Sequence, residues 1–308
     1  MGRFVLKRFL SFIPTLLVII VFGFIIIRAA PGGPFSREKA VPPAVLANLM
    51  AKYHLDEPML KQFLRFVGDL LHGDFGPSYR LKEFTVNQLI EIALPVSVIL
   101  GSIAWLVSAV VGAIFGIISA LKQNKAADYA IMAVAVTANS MPTFVVGPLL
   151  MLVFAIWLKV LPIAGWIDRF GYKALFLPVI TLGLNEFAQI ARVMRASMIE
   201  TLRSDYVRTA RAKGLSMPTI IFKHVLKGAS LPVISLLGPS LAEIVVGAVA
   251  TERIFGIPGM GRQLMNASTN RDYTLLMGTI VTMALAIIVM NFIVDILYGF
   301  LDPRIAYK

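Results

Sequence analysis

The chain has 308 residues, 58% of them hydrophobic and 15% charged, with a formal charge of +12 and no cysteine. A soluble domain carries about 25% charged residues, so these proportions exclude an ordinary water-soluble fold and point to a polytopic membrane protein. Disulfides, thiolate metal sites and cysteine nucleophiles are excluded. The positive charge lacks the interleaved aromatics of a nucleic-acid surface and fits the Lys and Arg enrichment of cytoplasmic loops.

Arg3, Lys7 and Arg8 precede an uncharged run from Phe9 to Ile27, about 28 Å long as a helix and close to the hydrocarbon thickness of a bilayer. It reads as an uncleaved anchor over residues 1–28, longer than the apolar core of a signal peptide. Residues 29–94 form a polar external segment opened by Pro31-Gly32-Gly33-Pro34. Within it Asp56-Glu57-Pro58 starts an amphipathic helix whose Met59, Leu60, Phe63, Leu64, Val67, Leu70 and Leu71 recur at helical spacing up to Gly73.

A second span covers Pro95 to Leu121, and a third uncharged stretch runs from Tyr129 to Leu158. The third is too long for one perpendicular crossing, so an interfacial start before Asn139-Ser140-Met141-Pro142 or a kinked, tilted helix is expected. Ala174 to Ala191 is the fourth span, Gly228 to Ala250 the fifth and Leu275 to Leu301 the sixth, with an outer loop from Thr251 to Thr274 and a tail at 302–308. Six spans place both termini and the basic loop 192–227 on one side. The bases there, among them Arg192, Arg195, Arg203, Arg208, Arg211 and Lys213, far outnumber the acids Asp128, Glu200, Asp205 and Asp302, so that side is cytoplasmic by the positive-inside rule.

The basic loop reads as two short helices separated by Gly214. Ser204 caps the first; Tyr206, Val207, Ala210 and Gly214 share a small, apolar face, with Arg208 and Arg211 elsewhere on the cylinder. Gly214 suits a left-handed C-cap, and Ser216 with Pro218 starts the second helix. Three acids lie within spans: Glu186, beside Asn185, Glu243 and Asp295. Intramembrane carboxylates face a bundle interior or wet cavity, so Asn185, Glu186 and Glu243 are the candidates for a translocation pathway. Asp295, near a span's end, suits a structural role. No G-x-x-x-x-G-K-[ST] or G-x-S-x-G is present and the three histidines are far apart, so the sequence offers no phosphate cradle, catalytic constellation or metal site. The chain is expected to carry no chemistry of its own and does not read as an enzyme.

Arg208-Thr209-Ala210-Arg211-Ala212-Lys213-Gly214 followed by Lys223-His224-Val225-Leu226-Lys227 resembles the EAA loop of bacterial ATP-binding-cassette (ABC) importer permeases in the form used by the peptide and nickel branch. Tyr53-His54-Leu55-Asp56-Glu57-Pro58, Gly73-Asp74-Phe75-Gly76-Pro77-Ser78, Glu252-Arg253-Ile254-Phe255-Gly256-Ile257-Pro258-Gly259-Met260-Gly261, Asn270-Arg271-Asp272-Tyr273 and Asp302-Pro303-Arg304 agree with it. The resemblance implies a type I importer permease fold with a transport domain over residues 95–301, in the bacterial inner membrane. It also implies a homologous second permease, two cytoplasmic ATPase subunits that use ATP and Mg, and an external peptide-binding protein, with no cofactor bound by this chain. By carry-over, Tyr206 and Arg208 to Gly214 form the helix that couples to an ATPase, with Ala210 and Gly214 as its close-approach face. The wider family has Glu-Ala-Ala where Arg208 and Thr209 occupy the first two positions. Oligopeptide, dipeptide, murein-peptide and nickel-chelate transport all fit the branch. From other classes, an ion-coupled secondary transporter would use Glu186 and Glu243, and a membrane scaffold would need neither.

Overall fold

The structure is a computed structural model that describes residues 2–30, 33–35 and 43–301. Pro31, Gly32, Asp302-Pro303-Arg304 and the rest of the tail lie outside the described residues, as do the side chains of Glu243 and Asp295. Among the described residues there are helices and no strand, only an isolated bridge between Pro77 and Thr85. In order the helices are α1 (Gly2–Ala29), α2 (Pro43–Lys52), α3 (Met59–Leu71), α4 (Val86–Leu121), α5 (Ala126–Ser140), α6 (Thr143–Leu150), α7 (Ile167–Phe170), α8 (Phe176–Leu202), α9 (Asp205–Ala212), α10 (Met217–Thr219), α11 (Leu226–Phe255), α12 (Met260–Asn270) and α13 (Tyr273–Leu301). Among the described residues five helical stretches are long and apolar enough to cross a membrane, and six if the bent pair Ala126–Ser140 with Thr143–Trp157 counts as one.

The breaks follow local chemistry. Met141 is extended because a residue before proline avoids the helical region, and the chain turns by 115° between α5 and the stretch Thr143–Trp157. The proline-marked irregularity expected in the third uncharged stretch is therefore a sharp break. α4 begins at Val86, nine residues before the expected Pro95. A capping box explains it: Thr85 Oγ1 accepts from the Gln88 N–H at 3.3 Å, and Gln88 Oε1 accepts from the Thr85 N–H at 3.0 Å. Pro95 sits inside the helix without ending it.

α8 likewise continues through Leu202, past the expected end at Ala191, because Ile190, Met194 and Met198 carry its buried face onward at a four-residue spacing. The second of the two expected short helices is not separate: α10 passes through a π-helical segment, Ile220–Val225, into α11. α11 in turn runs to Phe255, where Gly256 adopts the left-handed C-cap at φ 64°, so Thr251 and Glu252 belong to a helix and not to the expected outer loop.

The chain divides into two compact units. One comprises residues 1–97 with 258–289, the other 98–257 with 290–308. The first has a core of Ile20, Phe24, Ile27, Phe35, Tyr79, Tyr273, Met277 and Val281, where Phe24 meets Phe63 edge-on at 5.3 Å. α3 forms as the spacing predicts. Its Phe63, Phe66, Val67 and Leu70 pack on this core, while Leu60, Leu64 and Leu71 stay exposed.

In the second unit α8 is the central element, packed most extensively on α11 and also on α5 and α6. α4 approaches α8 along Ser108, Gly112 and Gly116, one small residue per turn. A methyl group at Gly116 would lie 2.7 Å from the Ala191 carbonyl oxygen, and Ser108 Oγ donates to the Gly183 carbonyl at 2.8 Å. Such stripes let helices touch through their backbones where the hydrophobic effect gives no drive to associate.

Candidate coupling surface and interior carboxylates

α9 is an eight-residue helix held by its own chain on one side. Val207 and Ala210 are buried in a cluster with Ile190, Met194, Met198, Ile220 and Val225. Asp205 in its first turn and Arg211 in its last complement the helix dipole. Ser204 occupies the N-cap, but its Oγ donates backwards to the Thr201 carbonyl at 2.6 Å and does not cap α9. The C-terminus closes in a Schellman arrangement: the Gly214 N–H bonds the Arg211 carbonyl at 2.9 Å and the Leu215 N–H bonds the Ala210 carbonyl at 3.3 Å. Gly214 has φ 77° and faces open space. The left-handed backbone by itself calls for glycine there.

The remaining surface is open. Tyr206, Arg208, Thr209, Arg211, Ala212, Lys213 and Gly214 are exposed, and with them Leu215, Met217 and Phe222, the last by 74%. A cationic surface that also exposes a tyrosine and a leucine has the composition of a protein-contact patch, while Met217 and Phe222 belong to the next stretch apolar enough to cross a membrane. The expected close-approach face differs in one respect: Ala210 is enclosed by its own chain at 6% exposure, because the short helix needs an apolar anchor to stay folded. The Arg208–Asp205 pair at 3.4 Å is largely exposed and adds little.

Behind this surface lies a buried polar clamp that the sequence does not advertise. Asp128, in the first turn of α5, accepts from Arg195 of α8 at 2.7 Å through both oxygens, from the Asn124 N–H at 3.0 Å and from Ser119 Oγ. Asp128 is 1% exposed. The pair ties the α4–α5 turn to the helix that leads into α9. In the sequence both residues read only as members of the cytoplasmic charge balance.

Glu186 is buried at 3% exposure in α8, with Asn185 beside it half-buried. Glu243 lies on α11, the helix packed most extensively on α8. Glu252 is a further interior carboxylate, fully buried in the last turn of α11. In the other unit, two of the motifs quoted from the sequence meet. Asp272 accepts from Ser78 Oγ, from the N–H groups of Tyr79 and Leu275 at 3.2 Å each, and from Thr274 Oγ1 at 3.1 Å. Among the described residues no cluster of His, Cys, Asp and Glu could hold a metal ion.

Helices sufficient for up to six crossings, small-residue contacts between them and a water-facing patch suited to a protein partner define an all-helical, multi-pass membrane subunit. The chain belongs to the family of binding-protein-dependent transport system inner membrane components, which it matches over residues 112–307, with the N-terminal component of the same systems over residues 1–100. It is thus a multi-pass inner-membrane permease subunit. The oligopeptide transport system permease protein OppB of Salmonella typhimurium is 47% identical over 307 residues, all of both chains. OppB of Escherichia coli K12 is 45% identical over the same span, again all of both chains. The dipeptide transport system permease protein DppB of Bacillus subtilis is 42% identical, over 99% of this chain and 98% of its own. Among solved structures, the MetNI methionine ABC transporter in inward-facing conformations matches with a TM-score of 0.58 at 13% identity, covering 70% of this chain and 97% of that one. The fold is that of an ABC importer permease.

Proposed function

We propose that this chain is one of two homologous permease subunits of an ATP-driven peptide importer, with oligopeptides as the substrate class. Relatives that carry peptide transport in their names and align over the whole chain support the substrate. In this reading both termini are cytoplasmic, residues 1–28 are the anchor, residues 29–94 the external segment and residues 95–301 the transport domain. An external binding protein delivers the peptide. Two cytoplasmic ATPases consume ATP with Mg, and this chain converts their closure into alternating access.

The observation that carries the coupling role is the exposed face of α9 and the turn after it. Tyr206, Arg208, Thr209, Arg211, Ala212 and Lys213, with Leu215 beyond the Gly214 cap, form a cationic, partly apolar surface that seats in an ATPase groove. Ala210 supports it from below. Asn185, Glu186 and Glu243 are assigned to the pathway, on two helices whose mutual contact must loosen for the buried Glu186 to reach a substrate. Co-expression with the second permease and the ATPases tests the docking. The pair Arg208→Glu/Arg211→Glu is expected to reduce recovery of the ATPases at least tenfold while leaving the second permease bound. Undiminished recovery would refute the docking face. A chain that transports peptide alone would instead support an ion-coupled carrier.

A further inference from the structure

The unit formed by residues 1–97 and 258–289 contains a cavity of about 160 Å³ that the transport reading leaves unused. It opens where α1 leaves the apolar region and α13 enters it. Its floor is apolar: Phe24, Ile27 and Met277 line it one turn inside the helix ends. Its rim is cationic. Arg28 lies over the rings of Phe24 at 5.2 Å and Tyr273 at 5.5 Å, on a lining it shares with the buried Tyr79. The Lys52 ammonium lies 5.6 Å from the centre of the Tyr53 ring. Arg65 is already held by Glu57 at 2.9 and 3.1 Å, but among the described residues neither Arg28 nor Lys52 forms an ion pair.

One further feature narrows the ligand. Asp69 on the same wall offsets part of the positive charge, which favours a monoanion over a dianion. An ammonium would meet the cations of the rim. An apolar floor under a cationic rim at a membrane boundary matches the head and upper chains of a lipid, and the cavity is roughly ten times the space one water needs.

We propose that this cavity binds one anionic phospholipid, its phosphodiester against Arg28 and Lys52 and its upper chains on Phe24, Ile27 and Met277. Bound there, the lipid fastens the end of α1 to α2, α3 and the start of α13. The test is native mass spectrometry of the full chain in nonionic detergent, supplied with phosphatidylglycerol or phosphatidylcholine of identical acyl chains. One retained phosphatidylglycerol is expected, preferred about tenfold or more. Lys52→Gln should lower that preference about fivefold, the order expected for one cation near a lipid surface, and Arg28→Gln/Lys52→Gln should abolish it. Because Arg28 also packs on aromatic rings, its variant is read only beside an unchanged melting temperature; the exposed Lys52 decides otherwise. Equal retention of both lipids, or undiminished preference in Lys52→Gln, would overturn the proposal. So would complete displacement by millimolar glycerol 3-phosphate, which would mark a site for a free anion.

Discussion

Removing Arg195 isolates the most enclosed charge behind the coupling surface. In Arg195→Met, Asp128 keeps Ser119 Oγ and the Asn124 N–H but loses both guanidinium bonds, with its side chain 2% exposed. Breaking a buried pair from one side costs about 3–5 kcal/mol. Arg195 is itself 26% exposed, so water reaches part of the site and about 3 kcal/mol is the working value. Asp128→Asn retains an acceptor for Ser119 and strands a guanidinium that can turn toward water, which costs about 2 kcal/mol. In the double variant no charge is left unmatched, and the loss should be about 3 kcal/mol instead of the 5 or so that additivity gives. The assay is equilibrium denaturant titration in mixed micelles for the four proteins, with hydrogen exchange over residues 122–128 as a local readout. A coupling near 2 kcal/mol, with faster exchange in both single variants, supports a clamp between the α4–α5 turn and α8. Additivity within about 0.5 kcal/mol would show that the contact carries no energy, and the reasoning would fail.

Asp272→Ala should free the segment after Ser78, because a hydroxyl and at least two backbone N–H groups lose their buried acceptor, a loss of about 3 kcal/mol or more. Limited proteolysis between residues 78 and 85 reads it, and Asp272→Asn should be milder; unchanged protection in both would count against the lock. Gly116→Leu should destabilise by roughly 1–3 kcal/mol by forcing α4 away from the Ala191 carbonyl, whereas Ile114→Leu, on the exposed face, should leave the denaturation midpoint in place.

The apolar runs made the spans legible, since a bilayer demands long uncharged helices and little else in the sequence competes with that signal. Ends were harder. α4 starts at a Thr85–Gln88 capping box, readable as Thr-x-x-Gln but upstream of the uncharged run that marks the span. Charge misled at α8, where Arg192, Arg195 and Glu200 suggested a loop although Ile190, Met194 and Met198 keep the helical stripe. The α9 helix and its glycine cap were visible from spacing and a single φ-permissive residue. Which side of α9 faces inward was not, because small apolar residues suit an internal anchor and an external contact equally. The Asp128–Arg195 and Ser78–Asp272 pairs join residues 67 and 194 positions apart; no local pattern announces such partners.

The central claim, that this chain couples ATP use elsewhere to peptide entry, is tested most directly by uptake into proteoliposomes. The chain is reconstituted with its second permease and ATPases, and a labelled oligopeptide is supplied with its binding protein on one side and ATP with Mg on the other. The account predicts peptide accumulation that requires ATP, this chain and the binding protein, and that is lost in Arg208→Glu/Arg211→Glu. Accumulation by this chain alone, driven by a proton gradient without ATP, would contradict it.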